Sequence, residues 1–247
     1  MLLHVQNLAV RYPNGALGIE DVSLEMEAGQ VAALIGTNGA GKTTTCRALS
    51  GFLKTEGAKV IRGTITFDGI NVTGWEPHRL VRAGIAAVPE RNKIFRNLTV
   101  REHFTSCGMH RSRAEREEAL EFGLQLFPMI RDRFRQAAGT LSGGQQQMIA
   151  IMRALVSRPR LLIVDEMTLG LHPSLQQPLF DALKSIAATG TACLVIDEST
   201  VHILESVQHC YLLEGGRIRR HGPITDFAHS DLLAIGYADR GTAPKPA

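Results

Sequence analysis

The stretch Gly36–Thr43 most constrains what this chain can fold into, because it reads Gly-Thr-Asn-Gly-Ala-Gly-Lys-Thr and fits the pattern G-x-x-x-x-G-K-[ST]. The apolar run Val31–Ile35 precedes it, and a helical pattern follows from Lys42. A short apolar run is typical of a buried parallel strand, so strand, glycine loop and helix stand in the order that a phosphate-binding loop requires. The chain is therefore predicted to have an α/β fold with a parallel sheet and a nucleotide site at this loop.

The residues of this loop are of the types that phosphate binding requires. Glycines let the backbone curl until successive N–H groups point inward, and the helix that follows adds the positive end of its dipole. Lys42 is predicted to reach the β- and γ-phosphates of ATP, the hydroxyl of Thr43 to bind Mg²⁺, and Thr44 to lie on the α-phosphate side. The predicted phosphate-binding residues are Gly36, Thr37, Asn38, Gly39, Ala40, Gly41, Lys42, Thr43 and Thr44.

Length and charge limit the class of protein. With 247 residues, 44% of them hydrophobic and 21% charged, the chain suits one large α/β domain with an inserted lobe. A formal net charge of +3 gives no basic excess that would indicate a nucleic acid partner. We expect a cytosolic chain, because its start lacks the apolar core of a signal peptide and no apolar run approaches the roughly 20 residues of a membrane span. Four scattered cysteines without a C-x-x-C pair predict neither a zinc site nor a disulfide framework.

Acidic residues stand at the ends of three further predicted strands. Glu90, the pair Asp165 and Glu166, and Glu198 each come at the end of a short apolar run. The carboxyl ends of parallel strands meet at one edge of a sheet, in the crevice where ligands bind. Asp165 is predicted to hold Mg²⁺, and Glu166 to orient or deprotonate a water molecule. Glu90 is a candidate for both the catalytic and the Mg²⁺-binding residues.

Other segments are predicted around this centre. Alternating patterns at residues 3–10, 22–26 and 63–69 predict a small antiparallel sheet beside the parallel one. The charged composition from Arg91 to about Arg135 predicts a separate helical lobe, and a strong helix pattern at 145–157 begins with a glycine-rich, serine-bearing segment that is suited to an anion. The remaining predicted elements are helices at 77–83 and 200–205, a terminal hairpin at 211–219 and a disordered tail at 241–247.

Three of these motifs together resemble a known family. The phosphate loop, Leu141-Ser-Gly-Gly-Gln145 and the strand Leu161–Glu166 resemble the nucleotide-binding subunit of ATP-binding-cassette (ABC) transporters, and the resemblance covers nearly the whole chain. Within that family the chain is most similar to the F-type (LivF-like) ATPase of branched-chain amino-acid importers. The motifs that carry this finer resemblance are Val88-Pro-Glu90, Ala138–Met148 and Leu169-Gly-Leu171.

The resemblance implies a domain organisation. It implies a P-loop NTPase (RecA-like) core with a parallel sheet, a small antiparallel β subdomain and an inserted α-helical subdomain. Residues 1–240 would form a single ABC ATPase domain, in which 1–90 and 157–240 make the nucleotide-binding core and 91–156 the helical subdomain with the Leu-Ser-Gly-Gly-Gln signature. The tail 241–247 lies beyond it.

The resemblance also implies residue roles. Tyr12, whose ring suits either base stacking or an ordinary surface position, would stack on adenine. Glu166 would be the water-activating base. Asp165 would be a carboxylate that binds Mg²⁺ directly or from the second coordination shell of the ion. Glu90 and the helical lobe would form the groove for a coupling helix of a membrane subunit. The signature residues would contact the γ-phosphate that is bound by an opposite subunit, so the resemblance implies that the active unit is a dimer. These residues are Ser142, Gly143, Gly144 and Gln145.

Two positions depart from the family pattern. Glu198 stands where most relatives have a γ-phosphate-sensing His and the LivF-like group usually has Gln, and an ionised Glu there would repel the phosphate. Either Glu198 turns away, or this half-site hydrolyses ATP poorly. His202 lies one helical turn further on, and its simpler interpretation is an exposed histidine on a helix. Met167 and Thr168 replace the usual Pro and Ser, which is expected to loosen the turn without removing a reacting group.

The expected function is an ATPase motor for branched-chain amino-acid import. Its partners would be a G-type sister ATPase, two permease subunits and an external solute-binding protein, at the inner face of the cell membrane. An importer for urea or short amides is an alternative with the same machinery. A non-transport cassette that acts on ribosomes or DNA is less suited, because the chain lacks a second cassette and a long coiled coil. A poorly hydrolysing, nucleotide-gated subunit remains open because of Glu198.

Overall fold

A computed structural model describes residues 1–90, 93–168, 171–198 and 206–227. In these residues a mixed sheet, with strand order β5-β4-β1-β2-β10-β9-β3-β8-β7-β6, forms the centre of the fold. Its strands are β1 (Leu3–Arg11), β2 (Leu17–Met26), β3 (Val31–Ile35), β4 (Lys59–Phe67), β5 (Ile70–Asn71), β6 (Ile85–Val88), β7 (Leu161–Asp165), β8 (Ala192–Asp197), β9 (His209–Glu214) and β10 (Arg217–Pro223). The α-helices are α1 (Lys42–Ser50), α2 (Pro77–Ala83), α3 (Val100–Thr105), α4 (Arg113–Leu126), α5 (Gly143–Val156) and α6 (Pro173–Ala188).

The parallel part of the sheet is buried on both faces. Strands β6, β7, β8, β3 and β9 run parallel to one another, which confirms the α/β fold. These strands contain continuous apolar runs because alternate residues pack into different cores, one on each face of the sheet. On β3, Ala33 packs into the core that contains α5 and α6, whereas Leu34 packs into the core that contains α1. Burial on both faces fixes the carboxyl ends of these strands at one edge.

The predicted antiparallel sheet is present and joins the parallel one at a single seam. Strand β1 pairs with both β2 and β4, and β5 extends this sheet at its edge. The seam is one bridge between Arg217 of β10 and Asp21 of β2. The terminal hairpin of β9 and β10 is antiparallel, as predicted. The turn of this hairpin also contacts the phosphate loop, because the Gly216 N–H donates to the Ala40 carbonyl over 2.9 Å.

Several boundaries differ from those that the sequence indicates. The third antiparallel strand spans 59–67 rather than 63–69, because Lys59 pairs with Arg11 at the far end of β1. Helix α5 begins at Gly143 rather than Gln145, because Ser142 caps it. The sequence patterns did not predict α6, whose interior holds Pro178. No helix in the described ranges is both long and apolar enough to span a membrane.

Some predictions fall outside the described residues. They are the helix at 200–205 with His202, and the tail at 241–247.

Candidate active site

At two glycines of the phosphate loop, close contacts leave no room for a side chain. At Gly36, an added Cβ would lie 2.3 Å from the carbonyl oxygen of Leu213 on β9. Gly41 precedes α1 with a left-handed backbone (φ 109°), and its Cβ would lie 2.6 Å from Ile19 Cγ2. Glycine alone fits both places without strain or overlap. The loop is therefore fixed against β9 and β2 at the edge where the parallel strands end.

Lys42 begins α1, and its ammonium group turns back into the loop. The side chain is only 5% exposed. Its Nζ donates to the carbonyl oxygens of Gly36 at 2.7 Å and Thr37 at 3.0 Å. It also forms an ion pair with Glu198 Oε1 at 3.2 Å. The residue predicted to bind the β- and γ-phosphates thus lies at the mouth of the loop with a carboxylate beside it.

Glu198 points into the site and lies beside Lys42. It follows β8, which pairs in parallel with β3 so that Asp197 stands level with Ile35. Glu198 is therefore level with the start of the phosphate loop. Its second oxygen accepts a hydrogen bond from Asn38 Nδ2 at 3.4 Å. The carboxylate faces the region where the γ-phosphate is expected.

Asp165 ends β7 beside α1 and offers a carboxylate oxygen to a cation. The residue is buried, and its Oδ1 has no hydrogen-bond partner in the part of the chain that the structure describes. Burial raises the pKa of Asp165 to about 6, with a smaller contribution from Glu90. Burial and the Asp165 carboxylate together raise the pKa of the neighbouring Cys46 thiol. A buried, unpaired carboxylate oxygen and the Thr43 hydroxyl at the start of α1 are hard oxygen donors that fit Mg²⁺.

Glu166 has an unusual backbone conformation. Its φ is 47°, in the left-handed region, and its N–H donates to the Ile196 carbonyl over 2.7 Å. Burial, together with the carboxylates of Glu90, Glu198 and Asp165, raises the pKa of Glu166 to about 7, and Lys42 opposes this shift. A carboxyl group with a pKa near 7 is suited to accept and release a proton at neutral pH.

The raised pKa predicts how stability depends on pH. The folded chain holds the Glu166 proton more tightly than the unfolded chain, so this stabilising effect is complete below about pH 4.5 and is lost as pH rises through about 7. Replacing Glu166 with Gln removes the buried charge. At pH 8 we expect the variant to melt about 2–4 °C above the native chain, with the difference disappearing near pH 5; partial exposure limits the effect to about 1 kcal/mol.

The control for this measurement is Asp132→Asn, which changes an exposed carboxylate between α4 and α5. Thermal melts of all three proteins without nucleotide at pH 5 and pH 8 test the prediction. A Glu166→Gln variant that gains no stability between the two pH values would contradict it.

Tyr12 lies beside the first turn of α1. Its hydroxyl is hydrogen-bonded to Thr44 Oγ1 at 3.0 Å and accepts from Arg47 Nη1 at 3.4 Å. The ring is half-buried and packs close to Gly18, where an added Cβ would lie 2.6 Å from Tyr12 Cε2. The hydroxyl contact joins Tyr12 to the residue predicted on the α-phosphate side. Tyr12 is therefore fixed next to the phosphate loop rather than being a free surface tyrosine.

The signature segment forms the capped start of α5. Ser142 Oγ accepts from the Gln145 N–H at 3.3 Å, and the Ser142 N–H donates to Gln145 Oε1 at 3.2 Å. This reciprocal capping satisfies two backbone donors and fixes the end of the helix. Ser142 and Gly143 are exposed, whereas Gly144 packs closely against Leu175 of α6. The segment is a preformed, outward-facing helix terminus.

Two residues that shape the site were not predicted from the sequence. Asp197 is buried, and its carboxylate accepts hydrogen bonds from the Thr168 N–H at 3.1 Å and the Thr168 hydroxyl at 2.8 Å. It also accepts from the Glu198 N–H at 2.7 Å. Asp197 therefore connects the turn after Glu166 with the turn at Glu198. Its position at the end of a buried strand, directly before Glu198, is the sequence feature that could have indicated its role.

Lys93 is the second missed residue. Its Nζ donates to Oε1 of Gln147, a fully buried residue of α5, and Glu90 and Glu166 interact with it electrostatically. Burial lowers the pKa of Lys93, and the two carboxylates oppose that shift. Lys93 thus joins the segment after Glu90 to the helix that carries the signature, and no motif in the sequence indicated this link.

Comparisons with known proteins agree with this arrangement. The family model of the ABC transporter matches residues 19–169. The high-affinity branched-chain amino acid transport ATP-binding protein BraG of Pseudomonas aeruginosa is 36% identical over 203 residues, which cover 82% of this chain and 85% of that protein. The probable branched-chain amino acid transport ATP-binding protein LivF of Archaeoglobus fulgidus is 32% identical over 223 residues, which cover 89% of this chain and 92% of that protein.

A solved structure of an ATP-binding subunit of an ABC transporter has a TM-score of 0.79 and 28% identity, and the match covers 98% of this chain and 96% of that one. Matches also extend to ATP-binding proteins named for peptide and lipopolysaccharide export. The family match spans more than half of the 247 residues and includes the phosphate loop, the signature and the acidic pair. The chain therefore belongs to the ABC transporter family, as an ATP-binding subunit that hydrolyses ATP to drive transport.

Proposed function

We propose that this chain is the motor ATPase of an importer for branched-chain amino acids. The observation that carries the ATPase mechanism is the convergence of Lys42, Asp165 and Glu166 at one edge of the parallel sheet. The cargo is inferred from the relatives BraG and LivF, whose names specify branched-chain amino acid transport. We infer that residues 1–240 act as one ATPase domain, with 91–156 as its helical subdomain.

ATP would be held by the loop from both backbone and side chains. The N–H groups from Gly36 to Thr44 would cradle the phosphates, and Lys42 would exchange an existing acceptor for phosphate oxygens. Thr43 and Asp165 would hold Mg²⁺, with Glu90 nearby. When bound, Mg²⁺ neutralises charge on the phosphate oxygens. Tyr12 would present its ring to adenine beside Thr44.

Glu166 would take the proton from the attacking water. Its left-handed backbone and the hydrogen bond to Ile196 fix the direction in which the side chain leaves the end of β7. A pKa of about 7 lets it hold that proton briefly and release it at neutral pH. Asp197 would keep the Thr168 and Glu198 turns at a constant separation during this step.

Closure would require a second ATPase subunit. The exposed Ser142 and Gly143 of one subunit would meet the γ-phosphate held by the other, so ATP would lie between two chains. We propose a G-type sister ATPase, two permeases and an external solute-binding protein as partners, with this chain bound to the inner membrane face. The Glu90 segment would transmit closure to a permease, with Lys93 linking it to α5.

Two alternatives keep the same fold. An importer for urea or short amides would use the same ATPase, since other subunits select the cargo. A poorly hydrolysing, nucleotide-gated subunit is favoured by a specific observation, the ion pair between Lys42 and Glu198.

The test is ATP hydrolysis by the purified chain alone and after assembly with its sister ATPase and permeases, for native Glu198 and for Glu198→His. We expect strong stimulation by the partners, because closure supplies the second half of each site. A further gain in the His variant is expected, since imidazole donates a hydrogen bond to the γ-phosphate and carries no negative charge. Uptake of radiolabelled leucine and urea by the assembled transporter in vesicles separates the two cargoes.

Absence of stimulation with every partner would contradict the motor function and favour the nucleotide-gated role. Stimulation of ATP hydrolysis by the partners, together with uptake of urea but not of leucine, would retain the motor function and change the cargo.

A further inference from the structure

The ammonium group of Lys42 has no spare hydrogen bond to offer. An ammonium has three donors, and they go to Gly36 O at 2.7 Å, Thr37 O at 3.0 Å and Glu198 Oε1 at 3.2 Å. Two of these acceptors are neutral carbonyls of the loop itself. Glu198 is the only charged acceptor among the three. A phosphate that binds Lys42 must therefore replace at least one of them, and Glu198 is the acceptor whose charge resembles that of the phosphate.

The Glu198 carboxylate is held in this position from both sides. Asn38 Nδ2 donates to Oε2 at 3.4 Å, so the loop contacts both carboxylate oxygens. On the backbone side, the Glu198 N–H donates to Asp197 Oδ1 at 2.7 Å, and buried Asp197 is itself bonded to Thr168. The side chain is one-third exposed, so water competes with these contacts without replacing them. Glu198 is thus a preformed counter-ion of the phosphate-loop lysine.

The three phosphates of ATP do not meet this counter-ion equally. In a loop of this type the backbone N–H groups cradle the α- and β-phosphates, and the lysine side chain reaches the β- and γ-phosphates. When Glu198 competes for Lys42, the β-phosphate keeps the backbone N–H groups of the loop, whereas the γ-phosphate depends on the lysine. ADP lacks the γ-phosphate. We propose that Glu198 determines nucleotide specificity by disfavouring the γ-phosphate, an inference that rests on the proposed nucleotide site. The binding preference of the isolated chain is thereby shifted toward ADP over ATP.

This specificity gives the transporter a gate at its first step. ATP would bind well only when another contact compensates for Glu198, and the signature of a partner subunit at the γ-phosphate supplies such a contact. An unassembled chain would remain with ADP and would not hydrolyse ATP without transport. Glu198 is a specificity-determining residue in this scheme, and Glu166 keeps the proton-transfer role.

The test compares the affinities of the purified chain for ATP and ADP. Isothermal titration calorimetry is carried out in EDTA, which prevents hydrolysis of ATP during the measurement. We expect Glu198→Gln to lower the ratio Kd(ATP)/Kd(ADP) about tenfold, because Gln keeps the shape and removes the charge. Glu198→Ala is a second variant that should lower the ratio in the same direction.

The matched control is Glu117→Gln, which removes an exposed Glu from its ion pair with Arg113 at 2.7 Å in the helical lobe and should leave the ratio unchanged. An unchanged ratio in both Glu198 variants, or an equal gain for ATP and ADP, would overturn the inference. Lys42→Met separates this failure from failure of the proposed function. If Lys42→Met leaves binding of both nucleotides intact, the nucleotide site itself is wrong; if it weakens both while Glu198→Gln does not change the ratio, only the specificity inference fails.

Discussion

Glu166→Gln is expected to abolish ATP turnover by the assembled transporter, with a loss of at least about a hundredfold. The amide keeps the size and hydrogen-bonding shape of the side chain but cannot accept the proton of the attacking water. The surrounding carboxylates and burial place the pKa of Glu166 at about 7, so the native group is matched to this transfer and its amide is not. The measurement is phosphate release at saturating ATP and Mg²⁺.

Nucleotide binding separates a chemical defect from a structural one. Glu166→Gln should bind ATP at least as tightly as the native chain, because one negative charge near the phosphates is removed. Glu121→Gln, which changes an exposed glutamate paired with Arg131, should retain full turnover. Phosphate release by Glu166→Gln within about twofold of native would mean that the base lies elsewhere or only on the partner ATPase.

Lys42→Met is expected to weaken binding of both ATP and ADP about a hundredfold. Charge-assisted hydrogen bonds contribute about 1.5–3 kcal/mol, and Lys42 is the cation that the phosphates would contact at the start of α1. The change also leaves the Glu198 carboxylate without its ion-pair partner at 3.2 Å, which adds repulsion toward the phosphates. Methionine preserves the apolar stem, so the buried position stays filled.

Calorimetric titration of ATP and ADP tests this second prediction. Lys54→Met is a matched control, because Lys54 is an exposed lysine paired with Glu76 at 2.9 Å beyond the carboxyl end of α1. It should bind both nucleotides as the native chain does. Equal weakening in the two lysine variants would point to a general effect of charge rather than to a phosphate-binding role for Lys42.

The parallel core was predictable because its signal is local. Residues 31–35 and 161–164 are apolar without interruption, and both runs lie in strands that are buried on two faces. The phosphate loop was predictable from its own short motif, although Gly36 and Gly41 also meet close contacts with Leu213 and Ile19, which are distant in the sequence. Helix α6 was not predictable in this way: Pro178 lies in its interior, and the helix is stabilised by burial of Leu179 and Leu183 against the sheet.

The geometry of the acidic residues was only partly predictable. That Asp165 and Glu166 meet the phosphate loop follows from the rule that parallel strands end at one edge. The orientation of Glu198 does not follow from any pattern, because repulsion from phosphate and attraction to Lys42 favour opposite directions. The roles of Asp197 and Lys93 depend on contacts between segments that are far apart in the sequence.

The left-handed backbone at Glu166 places function and stability in conflict at a single residue. A side chain with a Cβ is less stable in this conformation by about 1–2 kcal/mol, whereas glycine adopts it without that penalty. The same position also carries a carboxylate crowded by three others. The fold would thus be more stable with the smallest residue there, and the end of β7 keeps a locally unfavourable residue where the chemistry requires a reacting group.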